Sequence, residues 1–150
     1  MLTELLTPDR VVIPLAAADK GGIIAELTRR IVADAGGTFE EVLGAVLERE
    51  AVLSTGIGFG VAIPHARSAG VSQLTMVGGV SRAPVPFDAI DGEPVRLFFL
   101  IVGPEASAGL HVRLLSRIAR LVRREEVRRH LIEARTPDEF HRILLDAEAR

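Results

Sequence analysis

The stretch VRLFFLIV at residues 95–102 is almost continuously apolar. A strand covered on both faces has this composition, whereas a strand with one wet face alternates apolar and polar residues. Residues 95–102 therefore predict a central strand with helices on both sides of the sheet. The Asp91-Gly92 pair is a turn signal, so residues 89–94 are expected to form the turn that precedes the strand.

Two helices are predicted upstream of this strand, and each begins at a capping residue. Asp19 caps the first helix, and Thr38 caps the second as part of a capping box with Glu41. Gly36-Gly37 separates the two helices, and the second is expected to end near residues 48–50. The predicted buried stripe of the second helix consists of Phe39, Val42, Leu43, Val46 and Leu47.

Three helices are predicted downstream, and shorter strands fill the rest of the chain. The downstream helices are one with apolar residues from Leu110 to Leu121, one over residues 124–133, and one that begins at Thr136-Pro137-Asp138-Glu139. The further strands are residues 10–15, where Pro14 indicates an edge or a strand end, residues 59–64, and residues 74–80. This order of elements predicts a single α/β domain over residues 1–150, with helices packed on a sheet.

The composition of the chain excludes several classes of function. With no cysteine among 150 residues, disulfides, thiolate nucleophiles and zinc-thiolate sites are impossible. The net charge of -2 gives no electrostatic reason to expect nucleic acid as a partner, and the arginines between Arg113 and Arg129 are interpreted as a solvated helix face. Apolar runs are far shorter than the roughly 20 residues of a membrane span, so a soluble cytoplasmic protein without membrane insertion is expected.

Glycines and histidines near the middle of the chain raise three chemical hypotheses that their surroundings disfavour. The glycines of STGIGFG, residues 54–60, suggest a phosphate loop, but here a helix precedes the loop and a strand follows it, and no GK[ST] is present. A metal site is disfavoured because the four histidines form no HxH or HxxxH pair, and His130 and His141 are interpreted as surface residues. Ser54 and Ser68 lack the GxSxG setting of a hydrolase nucleophile.

His65 remains as a candidate nucleophile at the end of the predicted strand 59–64. A neutral imidazole has a lone pair on one ring nitrogen and can form a covalent intermediate, and Pro64 fixes the direction in which it leaves the strand. A solvated histidine at a strand end is an equally good interpretation of this residue alone. By the same reasoning His111 could be a partly buried core histidine, and Arg49 a helix-end cation that binds the last carbonyls.

Three longer segments resemble one known family. The segments are EREAVLSTGIGFGVAIPHAR at 48–67, APVPFDAIDGEPVRLFFLIVGPE at 83–105 and GLHVRLLSRIARLV at 109–122. Together they are similar to the enzyme IIA domains of the fructose/mannitol class in the bacterial sugar phosphotransferase system, including the nitrogen-related branch. The resemblance implies an α/β fold with a mixed sheet flanked by helices.

The resemblance also implies a function. His65 would accept a phosphoryl group, through Nε2, from the histidine-containing phosphocarrier protein and pass it to an enzyme IIB, making the chain a phosphotransferase without cofactor or metal. Arg49 and His111 would stabilise the phosphoryl group. Small residues would leave room around the ring: Gly58, Gly60, Ala62 and Ala66.

Three roles remain open at this stage. The first is a carrier in sugar transport, and the second is a regulatory protein of the nitrogen-related branch that binds a target protein according to its phosphorylation. The third is a binding or structural module that kept the fold without phosphotransfer.

Overall fold

The sheet forms around the strand expected at residues 95–102. In the computed structural model, which describes residues 2–150, this strand is β6, and it lies between β5 on one side and β3 and β4 on the other. The strands are β1 (Val11–Leu15), β2 (Gly56–Gly58), β3 (Val61–Ala62), β4 (His65–Arg67), β5 (Thr75–Val85) and β6 (Val95–Gly103). Their order is β1-β5-β6-β3-β2, with β4 also paired to β6.

The sheet is mixed, as the family resemblance implies. β1 pairs with β5 in parallel, and β3 and β4 both pair with β6 in parallel. The β5–β6 and β2–β3 pairs are antiparallel. Strand β1 lies at one edge of the sheet, which confirms the position expected from Pro14.

Helices cover both faces of this sheet. They are α1 (Leu2–Leu5), α2 (Lys20–Ala35), α3 (Phe39–Val52), α4 (Ala108–Arg123), α5 (Glu125–Glu133) and α6 (Pro137–Ala149). The helices α2 and α3 pack on one face, and α1, α4, α5 and α6 pack on the other. Among residues 2–150, no helix combines the length and the apolar character that crossing a membrane requires.

Strand β6 separates two hydrophobic cores. Its residues Leu97, Phe99 and Ile101 belong to the core under α4, α5 and α6, and the alternate residues belong to the core under α2 and α3. All six side chains from Leu97 to Val102 are fully buried. The expectation of a central strand covered on both faces is confirmed, and the fold is α/β with a mixed sheet flanked by helices.

The predicted helices are present, with small differences at their ends. The side chains of Asp19, Thr38 and Thr136 cap α2, α3 and α6 by accepting a hydrogen bond from a backbone N–H three residues on. Helix α3 runs on to Val52, past the end expected near residues 48–50. Leu47, placed in its buried stripe by the sequence, is 41% exposed, because the inward face follows Val42 and Val46 to residue 50.

The strand predictions are less accurate than those for the helices. Strand β5 continues to Val85, five residues past the predicted end. The strand expected over residues 59–64 is wrong in its bounds, since only Val61–Ala62 pair with β6 in that range. The short helix α1 had no counterpart among the predictions.

Candidate active site

Residues 56–67 form the interrupted edge of the sheet. Val61 lies opposite Leu97 and His65 lies opposite Ile101, so β3 and β4 run along the same side of β6 with a break between them. Pro64 lies in this break and has no N–H to donate, while its carbonyl accepts the Ile101 N–H at 3.1 Å. His65 is therefore the first residue of β4, whereas the sequence placed it just after a strand.

The glycines of this edge form a tight turn. Gly58 and Gly60 have φ angles of 96° and 78°, a region that side chains disfavour, and the Asp91 carboxylate accepts the N–H of the intervening Phe59 at 3.0 Å. A Cβ on Gly56 would lie 2.7 Å from the Ala89 Cβ.

Most of the small residues expected around His65 lie elsewhere. Of the four, Ala66 lines the site, whereas the two glycines belong to the turn and Ala62 is fully buried in the core under α2 and α3. The expectation that Gly58, Gly60 and Ala62 leave room around the ring is therefore wrong.

A cleft of about 570 Å³ opens where α3, β4 and the start of α4 meet. His65 comes from β4, Arg49 from the last turns of α3, and His111 from the first turn of α4. The three residues named by the sequence thus lie in one cleft. Much of the remaining lining is apolar, including Val52 and Val112.

The His65 ring is held in one tautomer by the backbone. Its Nδ1 lies 2.9 Å from the Ile63 carbonyl oxygen. Because a carbonyl can only accept, Nδ1 carries the proton and Nε2 has the lone pair. Burial lowers the pKa of His65 below its ordinary value of 6.5, the Ile63 carbonyl opposes that shift, and the Arg49 charge adds to it. The ring is therefore mainly neutral at pH 7, with Nε2 as a nucleophile.

His111 contacts His65 edge to face. The ring centroids lie 5.5 Å apart with the planes at 70°. Burial, followed by the charges of His65 and Arg67, lowers the pKa of His111 to about 4. His111 is 2% exposed, and in the part of the chain that the structure describes its Nδ1 is the one buried side-chain nitrogen or oxygen without a hydrogen-bond partner. An uncompensated polar atom of this kind costs stability, so packing alone does not explain this histidine.

Arg49 lines the cleft and also binds the end of its own helix. Its Nη1 donates to the Leu53 carbonyl at 2.8 Å. This is the helix-end contact considered as an alternative from the sequence, and it commits one of the five N–H groups of the guanidinium. The positive charge still reaches His65, whose pKa it lowers.

Glu50 supports this corner of the site and was not singled out from the sequence. Its buried carboxylate accepts the N–H and the hydroxyl of Thr55 and pairs with the Lys20 ammonium at 2.9 Å. These contacts fix the segment after α3, including the Leu53 carbonyl that holds Arg49. The signal was present in the helical spacing, since residue 50 continues the inward face of Val42 and Val46.

Arg67 is a second cation in the cleft that the sequence analysis did not single out. It follows His65 by two residues on β4, and side chains two apart in a strand point to the same face. Its Nη1 pairs with Glu105 Oε1 at 3.1 Å. The alternation of side chains along a strand was the sequence signal that could have identified Arg67.

The remaining histidines lie away from this cleft. His130 is exposed on α5, whereas His141 on α6 is half-buried with Nε2 3.2 Å from the Thr3 carbonyl oxygen, so its interpretation as a surface residue is only partly right. Within residues 2–150 no three side chains of His, Asp or Glu are grouped so that they could hold a metal ion.

Comparison with known proteins gives relatives in two branches. A Bacillus subtilis protein named PTS system fructose-specific EIIABC component is 36% identical over 140 residues, which cover 91% of this chain and 22% of that protein. This chain therefore spans about a fifth of that relative. A Pseudomonas aeruginosa protein named nitrogen regulatory protein is 34% identical over 152 residues, covering 98% of this chain and 96% of that protein.

A solved structure resembles the whole fold. The crystal structure of the nitrogen regulatory protein IIA-Ntr from Neisseria meningitidis superposes with a TM-score of 0.90 at 34% identity, covering 95% of this chain and 98% of that one. Residues 4–147 match the family described as phosphoenolpyruvate-dependent sugar phosphotransferase system, EIIA 2. The chain belongs to this EIIA family, whose members take part in phosphoryl transfer.

Proposed function

We propose that residues 1–150 form one cytoplasmic enzyme IIA domain in which His65 carries a phosphoryl group. The histidine-containing phosphocarrier protein would be the donor, and an enzyme IIB would be the acceptor. The observation that carries the proposal is the hydrogen bond from His65 Nδ1–H to the Ile63 carbonyl. It keeps the proton away from Nε2, which is the nitrogen that must attack phosphorus.

The transfer needs one bond to form and one to break. The Nε2 lone pair forms a new P–N bond, while the P–N bond of the donor phosphohistidine breaks and its electron pair returns to the donor nitrogen. The Nδ1 proton of His65 stays in its hydrogen bond, so no proton has to move. Transfer from His65 to the acceptor reverses these roles.

Arg49 and His111 would stabilise the phosphoryl group in the transition state of the transfer. The transition state spreads negative charge over the equatorial oxygens, so catalysis depends on alignment and on donors aimed at those oxygens. Arg49 has N–H groups left after its bond to Leu53. His111 is neutral at pH 7, and a proton on its Nε2 would donate to a phosphoryl oxygen while the buried Nδ1 stays unpaired.

A second candidate function is supported by the whole-length relatives. The Pseudomonas and Neisseria proteins are named nitrogen regulatory proteins, and this chain covers nearly all of each. In that case the same phosphorylation of His65 would control binding to a target protein. The two functions share the chemistry of His65 and differ in the acceptor.

Labelling tests the shared chemistry. The wild type, incubated with radioactive phosphoenolpyruvate, the first enzyme of the phosphotransferase system and the phosphocarrier protein, should gain an acid-labile, alkali-stable label. His65→Ala should gain none, because the accepting nitrogen is gone, whereas His130→Ala removes an exposed histidine and should label normally. Equal labelling of wild type and His65→Ala would overturn the proposal.

Transfer from the labelled protein separates the two functions. Rapid loss of label to a purified enzyme IIB supports the transport role. Retention of the label in the presence of such IIB domains, together with a protein partner captured only by one phosphorylation state, supports the regulatory role.

A further inference from the structure

Arg67 lies on the same face of β4 as His65. Its neighbour Ala66 points to the opposite face, where it packs in the core under α2 and α3 and borders the cleft from that side. Arg67 lies opposite Gly103 and His65 opposite Ile101, so both keep the regular register of the β4–β6 pair. The strand therefore holds the start of the Arg67 side chain in a fixed relation to the reactive ring.

Arg67 is held only weakly by its partner, Glu105. Glu105 belongs to the 3₁₀ turn Glu105–Ser107, which leads directly into α4 and His111. The two side chains are 44% and 78% exposed. Exposed ion pairs contribute little net stability, because water solvates both charges and each long side chain loses freedom. A stronger anion nearby can therefore displace Glu105.

The charge of Arg67 acts on both histidines. It lowers the pKa of His65 and that of His111, whereas the charge of Arg49 lowers only the first of these. Arg49 is also bound to the Leu53 carbonyl, while no backbone oxygen among residues 2–150 accepts from Arg67. Of the two arginines in the cleft, Arg67 is thus the one whose guanidinium acts on both rings and is held only by a solvated carboxylate.

We propose that Arg67 is a third phosphoryl-binding group of the site, held by Glu105 while His65 is free and transferred to the phosphoryl oxygens when His65 is phosphorylated. This rests on the proposed function in one respect, namely that His65 receives the group. The exchange is ionic and no covalent bond of Arg67 changes. A phosphoryl group has a charge of about -1.5 to -2 and matches the planar guanidinium fork, so it outcompetes a single exposed carboxylate.

Phosphoramidate, a small chemical donor that phosphorylates histidine, tests this without any partner protein. The rate at which His65 gains phosphate is followed by ³¹P NMR in the full chain for the wild type, Arg67→Gln, Arg67→Lys and Glu105→Gln. Arg142→Gln, an exposed arginine on α6, is the control for losing one positive charge. The NMR titration of His65 in each variant is the second readout.

The expected results follow from the loss of a charged donor. Arg67→Gln should slow labelling roughly tenfold, Arg67→Lys should recover part of the rate, and Arg142→Gln should stay within roughly twofold of wild type. The pKa of His65 should rise in Arg67→Gln, because a positive neighbour is gone. Glu105→Gln should label at least as fast as wild type, because Arg67 is then free.

Two results would overturn the inference. Labelling of Arg67→Gln at the wild-type rate would show that Arg67 does not bind the group. Equal slowing in Glu105→Gln and Arg67→Gln would show that the ion pair itself matters for structure. A wild type that reacts with phosphoramidate but not with the phosphocarrier protein would count against the proposed function alone, since the variant rates still decide the role of Arg67.

Discussion

The centre and the interrupted edge of the sheet are paired to each other but organised differently. Strand β6 is continuous over Val95–Gly103 and has a strand on each side. Residues 56–67 are divided into three strands of two or three residues, of which β3 and β4 pair with β6 and β2 pairs with β3. The side chains of Leu97–Val102 at the centre are fully buried, whereas at the edge His65 is half-buried and Arg67 exposed.

The two regions have different roles: the centre stabilises the fold, and the edge forms the reactive site. The part of β6 that has a core on each face, Leu97–Val102, has room only for apolar side chains, because any polar group there would lose its water. At the edge, Pro64 breaks the strand, the Ile63 carbonyl binds a side chain, and two helix ends approach to form a cleft. Substitutions at the centre should therefore affect folding, and those at the edge should affect phosphoryl transfer.

The largest loss of stability is expected from Phe99→Ala in β6. Phe99 is fully buried, and its ring centroid lies 6.1 Å from that of Phe140. The cavity and the lost burial should lower the free energy of unfolding by about 3–5 kcal/mol, measured by urea denaturation. Phe59→Ala is the matched change at the edge, where the ring is 67% exposed with Arg128 above it, and should cost about 1 kcal/mol or less. Equal losses in the free energy of unfolding for the two variants would contradict the contrast between the centre and the edge.

Acid should destabilise the protein through the two histidines of the cleft, His111 and His65. The pKa of His111 is about 4 in the folded state and 6.5 in the unfolded state, so the unfolded chain binds more protons between these values. Above pH 6.5 the ring is neutral in both states and lowers the free energy of unfolding little. Between pH 6.5 and pH 4 the free energy of unfolding should fall by roughly 3 kcal/mol. Urea denaturation across this range measures it. His65, with its own lowered pKa, should add to the loss in the same direction.

His111→Gln isolates this contribution. The variant removes the titrating ring, so its stability should depend less on pH than that of the wild type over the same range. His130→Gln is the control, because it removes an exposed histidine. Parallel curves for the wild type and His111→Gln would show that the acid sensitivity lies elsewhere.

Local rules predicted the helices and the central strand well. Asp19, Thr38 and Thr136 form hydrogen bonds within their own first turn, so the information for these helix starts is confined to a few residues. The apolar run at residues 95–102 was equally informative, because a strand buried on both faces allows few alternatives. The fold class followed from these elements and their order.

The interrupted edge could not be predicted from the residues alone. Where β3 ends and β4 begins is decided by pairing with β6, more than thirty residues away in the sequence, and not by local propensity. Composition and periodicity did not bring His65, Arg49 and His111 together; the resemblance to the enzyme IIA family did. Glu50 was missed because a charged residue near a helix end is usually solvated, and its spacing from Val42 and Val46 was not given weight against that rule. The packing of Lys20 and Thr55 around it shows how its charge is accommodated.

Glu50→Gln should have a smaller effect than Phe99→Ala or acid, and it tests how far the cleft at the interrupted edge also contributes to stability. The amide keeps one acceptor for Thr55 but loses the charge that pairs with Lys20, whose side chain is 25% exposed and can be solvated instead. The free energy of unfolding should fall by about 1–2 kcal/mol, and phosphoryl transfer should slow severalfold, since the Leu53 carbonyl that holds Arg49 becomes less well fixed. Urea denaturation and labelling rates measure both, with the exposed Glu93→Gln as control. A loss as large as that of Phe99→Ala would make this edge part of the folding core, because its stability would then depend on a buried charge as strongly as the centre depends on a buried ring.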